Sequence, residues 1–123
     1  MNNSLRGTWY KYTHYKKLYW PLNLIVFNLL KLITKRDSNL WVFGALGGNL
    51  YEDNTKYLFE FVNNNARDQI RAVWLTRNEE QVSEVRDLGY EAYTFWSPEG
   101  RRVALKAGVA FYTHGLQDLA SFR

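Results

Sequence analysis

Residues 40–60 of the chain read LWVFGALGGNLYEDNTKYLFE. The run Leu40–Phe43 is apolar and stops at Gly44, which is typical of a short buried strand. A glycine-containing loop follows, and Asp53 or Asn54 can cap a helix that continues to about Asn64. The expected buried face of this helix comprises Tyr57, Leu58, Phe61 and Val62. The order of strand, loop and helix predicts the opening unit of an α/β domain, whose first loop usually faces a ligand.

The rest of the chain repeats this alternation. Apolar runs predict three further strands, over residues 70–75, 91–94 and 109–113. Two further helices are predicted, one over residues 79–88 with Gly89 at its end, and one from Ser97 to about Ala107. Alternating strands and helices with short connections imply a parallel sheet with right-handed crossovers. We therefore predict an α/β fold with a Rossmann-like parallel sheet, in a domain spanning residues 37–123.

Composition excludes several kinds of chemistry. The chain has 123 residues, enough for one domain with a core, and no cysteine. Disulfides, thiolate metal sites and cysteine nucleophiles are therefore excluded. The glycine-containing loop matches neither Gly-x-Gly-x-x-Gly nor a P-loop, and no His, Asp and Glu cluster has metal-ligand spacing. We expect no metal and no cofactor.

The net charge of +4 is unevenly distributed along the chain. The first acidic residue is Asp37, and seven basic residues precede it. They are Arg6, Lys11, Lys16, Lys17, Lys31, Lys35 and Arg36. The remainder holds nine basic and twelve acidic side chains, a net charge of −3. A basic segment of this kind suits nucleic acid or an anionic membrane surface.

Apolar residues favour the membrane as the partner of this segment. Aromatic residues alternate with lysines between Trp9 and Trp20, and an apolar run with Pro21 in its first turn follows. A helix of about 14 residues spans roughly 21 Å, short of the ~30 Å hydrocarbon core, so it can lie in the interface. We predict a membrane-surface arm and amphipathic helix over residues 1–36, and a polar hinge over residues 34–39. The predicted membrane contacts are Trp9, Lys16, Lys17, Trp20, Leu29 and Lys31.

Two other interpretations of this segment are open. The helix can instead pack on the domain that follows it and form part of the core. Nucleic acid fits less well, because the apolar residues form one thick face rather than scattered stacking positions. No small-residue cleavage site follows the apolar run, so a secretory signal is not predicted.

The loop after the first strand is the first candidate site. Gly47 and Gly48 let a backbone approach a ligand closely, and a helix N-terminus favours anions. Glu52 and Asp53 repel a phosphate there, so they either cap the helix or accept hydrogen bonds from substrate hydroxyls. The candidate substrate-binding residues are Gly47, Gly48, Tyr51, Asp53 and Asn54. A purely structural role of the loop is the alternative.

His114 is the candidate catalytic residue. It directly follows the last predicted strand, and the carboxyl ends of parallel strands carry functional groups in open α/β sheets. An imidazole at this position can act as a general base near neutral pH. Asp118 lies four residues further on and can orient the ring. The alternative is a polar residue that ends a strand and has no catalytic role.

Four segments carry a resemblance to a known family: LWVFG at 40–44, YxDNxKYLFE at 51–60, IRAVWLT at 70–76 and GYEAY at 89–93. In this order they resemble the N-terminal portion of the CDP-glycerol glycerophosphotransferase family, and the resemblance covers about residues 40–119. It implies an enzyme of teichoic-acid-like polymer synthesis with a two-domain, glycosyltransferase-B-like architecture. It also implies a peripheral protein at the cytoplasmic face of the cell membrane, acting on a lipid-linked polyol phosphate acceptor.

The chain departs from the family pattern in two respects. The family's Trp-His-Gly-x-Pro motif is not reproduced at His114-Gly115, so its catalytic role is not carried over to His114. The resemblance further implies that CDP-glycerol binds a second domain, which these 123 residues do not include. We therefore expect an acceptor-side part that is inactive alone, and the alternative is a non-enzymatic membrane- or partner-binding module.

Overall fold

The computed structural model describes residue 22, residues 24–26, residues 28–115 and residues 118–119. The chain divides into two units, with the boundary after Ile33. In the first unit, the described residues from Leu22 to Ile33 have helical backbone. Leu29 and Lys31 are exposed there. The other predicted membrane contacts, Trp9, Lys16, Lys17 and Trp20, lie outside the described residues, as do positions 23 and 27 of the predicted amphipathic helix.

No helix within the described ranges combines the length and the apolar character needed to cross a membrane.

The described part of the second unit is an α/β domain. Its strands are β1 (Asp37–Phe43), β2 (Arg71–Thr76), β3 (Glu91–Thr94) and β4 (Ala107–Phe111). Its α-helices are α1 (Asp53–Asn65), α2 (Glu79–Asp87) and α3 (Pro98–Lys106), and a short 3-10 turn, Leu46–Gly48, follows β1. All strand pairs are parallel, in the order β3-β2-β1-β4. The predicted α/β fold with a parallel sheet is thereby confirmed, and this order is compatible with a Rossmann-like fold.

Helices lie on both faces of the sheet, and Gly108 and Ala110 of β4 are exposed. Helices α1 and α2 pack on one face and α3 on the other. Strand β1 is apolar at consecutive positions because its residues alternate between these layers: Phe43 packs under α1, whereas Leu40 and Val42 pack with Val103 of α3. From β1 the chain adds β2 and then β3 on one side of β1, and it then returns across the sheet to place β4 on the other side. Because crossovers of this kind have the same hand, the return connection places α3 on the face opposite to α1 and α2.

Local signals fix the ends of α2 and α3. The Asn78 side chain accepts a hydrogen bond from the Glu80 N–H at 2.9 Å, and Gly89 ends the helix region with φ of +85°. Ser97 accepts from the Gly100 N–H at 3.0 Å, and Pro98 occupies the first turn of α3. These two helices therefore begin where the sequence predicts.

The prediction for α1 was wrong for three of the four residues of its buried face and for its cap. Val62 is buried as predicted, together with Thr55, Phe59 and Asn63, whereas Tyr57, Leu58 and Phe61 are exposed. Apolar residues occupy more than one face of this helix, and Phe59 is buried because its ring packs edge-on against Phe43 and Trp74. Neither Asp53 nor Asn54 caps the helix: Glu52 holds the cap position without a side-chain hydrogen bond, and α1 starts at Asp53.

Two strand boundaries also differ from the prediction. Strand β1 starts at Asp37, so the predicted hinge does not extend to Asn39. Strand β4 covers Ala107–Phe111 rather than residues 109–113. Thr113 and His114 therefore stand in the segment that leaves the sheet, two and three positions after its last strand residue.

Candidate functional site

The candidate site lies at the carboxyl ends of β1 and β4. These strands are neighbours, yet the connection from β1 leads away to β2, so the order of the sheet reverses between them. Open α/β sheets bind ligands in the crevice outside such a reversal. The described residues that follow these strands here are residues 44–52 after β1, and residues 112–115 and 118–119 after β4.

Asp118 joins the two segments. Its side chain is fully buried, and Oδ1 accepts the Gly47 N–H at 2.6 Å. Its Oδ2 accepts the N–H groups of Thr113 and His114, each at 2.9 Å, and the Thr113 hydroxyl at 3.1 Å. The carboxylate thereby ties the end of β4 to the loop after β1.

These contacts also set the charge of Asp118. Burial acts to raise the pKa of the Asp118 carboxyl, but hydrogen bonds from the N–H groups of His114, Gly47 and Thr113 outweigh it. The pKa consequently lies below its ordinary value. Asp118 is therefore an ionised, buried carboxylate at neutral pH.

The structure gives no direct hydrogen bond between the Asp118 carboxylate and the His114 ring, so any orientation of the imidazole by Asp118 is indirect. The carboxylate accepts the His114 backbone N–H instead. The ring Nδ1 lies 2.8 Å from Thr113 Oγ1. His114 is exposed at the carboxyl edge of the sheet, as its position after the last strand predicted.

The loop after β1 uses its own N–H groups within the protein. Gly44 donates to the Phe111 carbonyl at 3.0 Å, and Leu46 donates to Thr113 Oγ1 at 3.3 Å. Gly47 donates to Asp118, and Gly48 donates to the Ala45 carbonyl at 2.8 Å. These four N–H groups are already satisfied, which argues against a phosphate cradle built from them.

A second set of contacts fixes the loop to the end of β2. The Gly48 carbonyl accepts the Arg77 N–H at 2.6 Å and lies 2.8 Å from the Thr76 hydroxyl. The Gln81 amide donates to the Asn49 carbonyl. A side chain at Gly48 would overlap the Phe95 ring, and its φ of +78° also favours glycine. Gly48 is therefore required for the turn itself.

The other predicted substrate-binding residues do not converge on one surface. Tyr51 is buried, with its ring edge-on to Trp74 and its hydroxyl donating to Glu60 at 2.9 Å. Burial, followed by the contact with Glu60, raises the pKa of the Tyr51 hydroxyl above its ordinary value. Asp53 and Asn54 are exposed at the start of α1. A ligand can reach these two side chains without displacing the core.

Two residues at this edge were missed by the sequence reasoning. Nothing in the sequence marks Thr113 as functional apart from its position before His114, although its hydroxyl contacts Leu46, His114 and Asp118. Arg77 follows β2, with its guanidinium 5.8 Å from the centroid of the Phe95 ring and a buried Nε that has no hydrogen-bond partner. Its place directly after a strand was the available signal.

No group of His, Cys, Asp and Glu side chains suited to a metal ion occurs among the described residues. Comparisons with protein-family models, with curated proteins and with solved structures find no match to this chain. The family resemblance therefore stays a prediction from the sequence.

Proposed function

We propose that this chain is the N-terminal, acceptor-side and membrane-docking part of a CDP-glycerol:glycerophosphate glycerophosphotransferase in teichoic-acid-like polymer synthesis. In this proposal the second unit is the first half of a glycosyltransferase-B-like architecture. The donor, CDP-glycerol, binds a second domain, so residues 1–123 are inactive alone. The protein works at the cytoplasmic face of the cell membrane on a lipid-linked polyol phosphate acceptor.

One observation carries the proposal: an exposed imidazole stands at the carboxyl edge of the sheet, beside the reversal of strand order. Both the strand order and the position of His114 fit a site for a ligand at this edge. The resemblance of the four segments supplies the substrate class. The satisfied N–H groups of the loop after β1 agree with an acceptor side rather than with a nucleotide phosphate site.

The family resemblance assigns no role to His114, but its place at the carboxyl edge makes it the candidate base. In that role the imidazole takes the proton of the acceptor hydroxyl, while the hydroxyl oxygen attacks the phosphorus that carries glycerol. The phosphoanhydride bond breaks, CMP leaves, and a phosphodiester joins glycerol phosphate to the acceptor. Positioning and charge stabilisation dominate such transfers, so one wall of the cleft without the other gives almost no rate.

The test separates acceptor binding from turnover. A short glycerol phosphate oligomer is titrated into the ¹⁵N-labelled chain, and the amide shifts of Thr113, His114 and Gly115 are followed. We expect these amides to move with the oligomer, with little response to CDP-glycerol, and no transfer to a lipid-linked acceptor in vesicles. Tight CDP-glycerol binding, an unresponsive carboxyl edge, or measurable transfer by the isolated chain would each contradict the proposal.

A second candidate is a non-enzymatic membrane- or partner-binding module. The exposed aromatic side chains of α1, Tyr57 and Phe61, favour it, because clustered apolar groups on a surface often mark an interaction site. The same titration distinguishes the two functions. Vesicle binding without any response to the glycerol phosphate oligomer indicates the module.

A further inference from the structure

We propose that Thr113 is a positioning residue that holds neutral His114 in the tautomer with the proton on Nδ1, and that Asp118 acts through the Thr113 hydroxyl. The inference deepens the proposed function, because it states which ring nitrogen is left to act as the base. The hydrogen bonds of Thr113 and His114 on which it is based do not depend on any reaction, and neither does the measurement of the tautomer.

The Thr113 hydroxyl has one hydrogen to donate and two lone pairs that can accept hydrogen bonds. Three groups surround Oγ1: the Leu46 N–H at 3.3 Å, Asp118 Oδ2 at 3.1 Å and His114 Nδ1 at 2.8 Å. The Leu46 N–H can only donate, and an ionised carboxylate can only accept. The role of the imidazole nitrogen is therefore fixed by where the single hydroxyl hydrogen goes.

The hydroxyl hydrogen goes to Asp118. If the hydrogen were donated to His114 instead, the lone pairs of the Thr113 oxygen would face a buried carboxylate oxygen of Asp118 3.1 Å away. The Asp118 carboxylate would then lose one hydrogen-bond donor. A hydrogen bond to a charged group is about twice as strong as one between neutral groups. With its hydrogen committed to Asp118, Oγ1 can only accept from Nδ1, so Nδ1 carries the proton.

The consequence concerns the other ring nitrogen. In neutral His114 the lone pair is on Nε2, and this nitrogen is the one available to take a proton from a hydroxyl group. The chain of contacts runs from Nδ1–H to the Thr113 oxygen and from the Thr113 hydroxyl to Asp118. Asp118 is itself held by the Gly47 N–H, so the loop after β1 also takes part in orienting the ring.

The experiment measures the tautomer directly. Long-range ¹H–¹⁵N spectra of the full chain with labelled histidine are recorded at about pH 9, where a histidine ring is neutral. We expect His114 to show a protonated Nδ1 and an unprotonated Nε2, the reverse of the tautomer that a free imidazole side chain prefers. The chain has two histidines, so a His14→Gln variant identifies the signals of His114.

Two variants of Thr113 establish the cause. Thr113→Val keeps the branched shape and removes the hydroxyl, and we expect the His114 pattern to revert to a protonated Nε2. Thr113→Ser keeps the hydroxyl, and we expect the wild-type pattern. A protonated Nε2 in the wild-type spectrum would overturn the proposal, as would an unchanged tautomer in a folded Thr113→Val protein.

The wild-type spectrum decides the matter even if Thr113→Val does not fold. The result is also separable from the proposed function. A protonated Nδ1 together with an absence of acceptor binding would refute the transferase proposal and leave the positioning of His114 standing.

Discussion

At the scale of single residues, three glycines of the second unit show two different physical reasons why a position requires glycine: steric overlap of a Cβ and a positive φ. Gly44 has no positive φ, but a Cβ there would overlap the Asp118 carbonyl. Gly89 has φ of +85° and nothing within 4 Å of such a Cβ. Gly48 combines a φ of +78° with an overlap with the Phe95 ring. Steric overlap and backbone strain can therefore be measured one at a time.

We expect alanine to lower the free energy of unfolding at all three positions, and most at position 48. Gly89→Ala introduces strain alone and costs about 1–2 kcal/mol. Gly44→Ala introduces overlap alone and costs about 1–3 kcal/mol. Gly48→Ala combines both and costs about 3 kcal/mol or more. Urea denaturation checks the series, and a Gly48→Ala protein as stable as Gly89→Ala would contradict the packing of the loop against Phe95.

The lowered pKa of Asp118 makes stability depend on pH in a known direction. Because the pKa of the folded carboxyl lies below its unfolded value, the carboxylate stabilises the fold above about pH 4, and this contribution is lost as the pH falls through the folded pKa. In Asp118→Asn an amide group replaces one acceptor oxygen, so a backbone N–H loses its partner. We expect a loss of about 2–3 kcal/mol at neutral pH, shrinking toward pH 3.

The comparison for Asp118→Asn is the difference in unfolding free energy between the two proteins at each pH. Other carboxyl groups titrate in both proteins alike, so they cancel from this difference. A difference that stays constant from neutral pH down to about pH 3 would show that the charge of Asp118 does not carry the stabilisation.

At the candidate site, the sequence predicts the position of a residue but not its hydrogen-bond partners. The position of His114 at the carboxyl edge follows from the strand that precedes it, and this was predicted. Three of the four hydrogen bonds to Asp118 come from backbone N–H groups, those of Gly47, Thr113 and His114, two of which lie in its own segment and one 71 positions away. Backbone donors have no sequence signature, so this network was beyond prediction.

At the scale of elements, the starts of helices with one strong local signal were predicted well, whereas α1 was predicted in position but not in its cap or most of its buried face. Asn78 and Ser97 begin α2 and α3, because a capping side chain marks a helix start irrespective of the rest of the fold. In α1 the apolar residues at 57, 58, 59, 61 and 62 surround much of the helix. The neighbouring rings of Phe43 and Trp74 then select Phe59, a tertiary cause that periodicity does not contain.

Substitutions in α1 test this orientation. Phe59 is 0% exposed and Phe61 is 63% exposed, so the same change to alanine compares two environments on one helix. We expect Phe59→Ala to cost about 3–5 kcal/mol, the range for a large core side chain. Phe61→Ala is expected to change stability by about 0.5 kcal/mol or less. Equal losses in chemical denaturation would mean that the face carrying Phe61 is covered in solution.

At the scale of the whole molecule, charge divides the chain into two parts of opposite sign. The basic residues before Asp37 carry the positive charge, whereas the remainder carries a net −3. Such a separation predicts that an anionic vesicle binds through the first 36 residues and not through the α/β domain. If the α/β domain bound the vesicle instead, its three exposed basic residues on α3 would be the contact site: Arg101, Arg102 and Lys106.

Charge reversal in the full chain therefore has a matched control. We expect Lys16→Glu with Lys17→Glu to weaken co-sedimentation with vesicles of anionic lipid strongly, since each basic residue near such a surface contributes about 1 kcal/mol. Arg101→Glu with Arg102→Glu changes the net charge by the same amount and is expected to leave binding nearly unchanged. Binding of the wild-type chain is expected to fall as salt is added, because the Debye length shortens. Equal losses in both double variants would mean that net charge alone draws the protein to the vesicle, and the membrane-docking role of the arm would have to be abandoned.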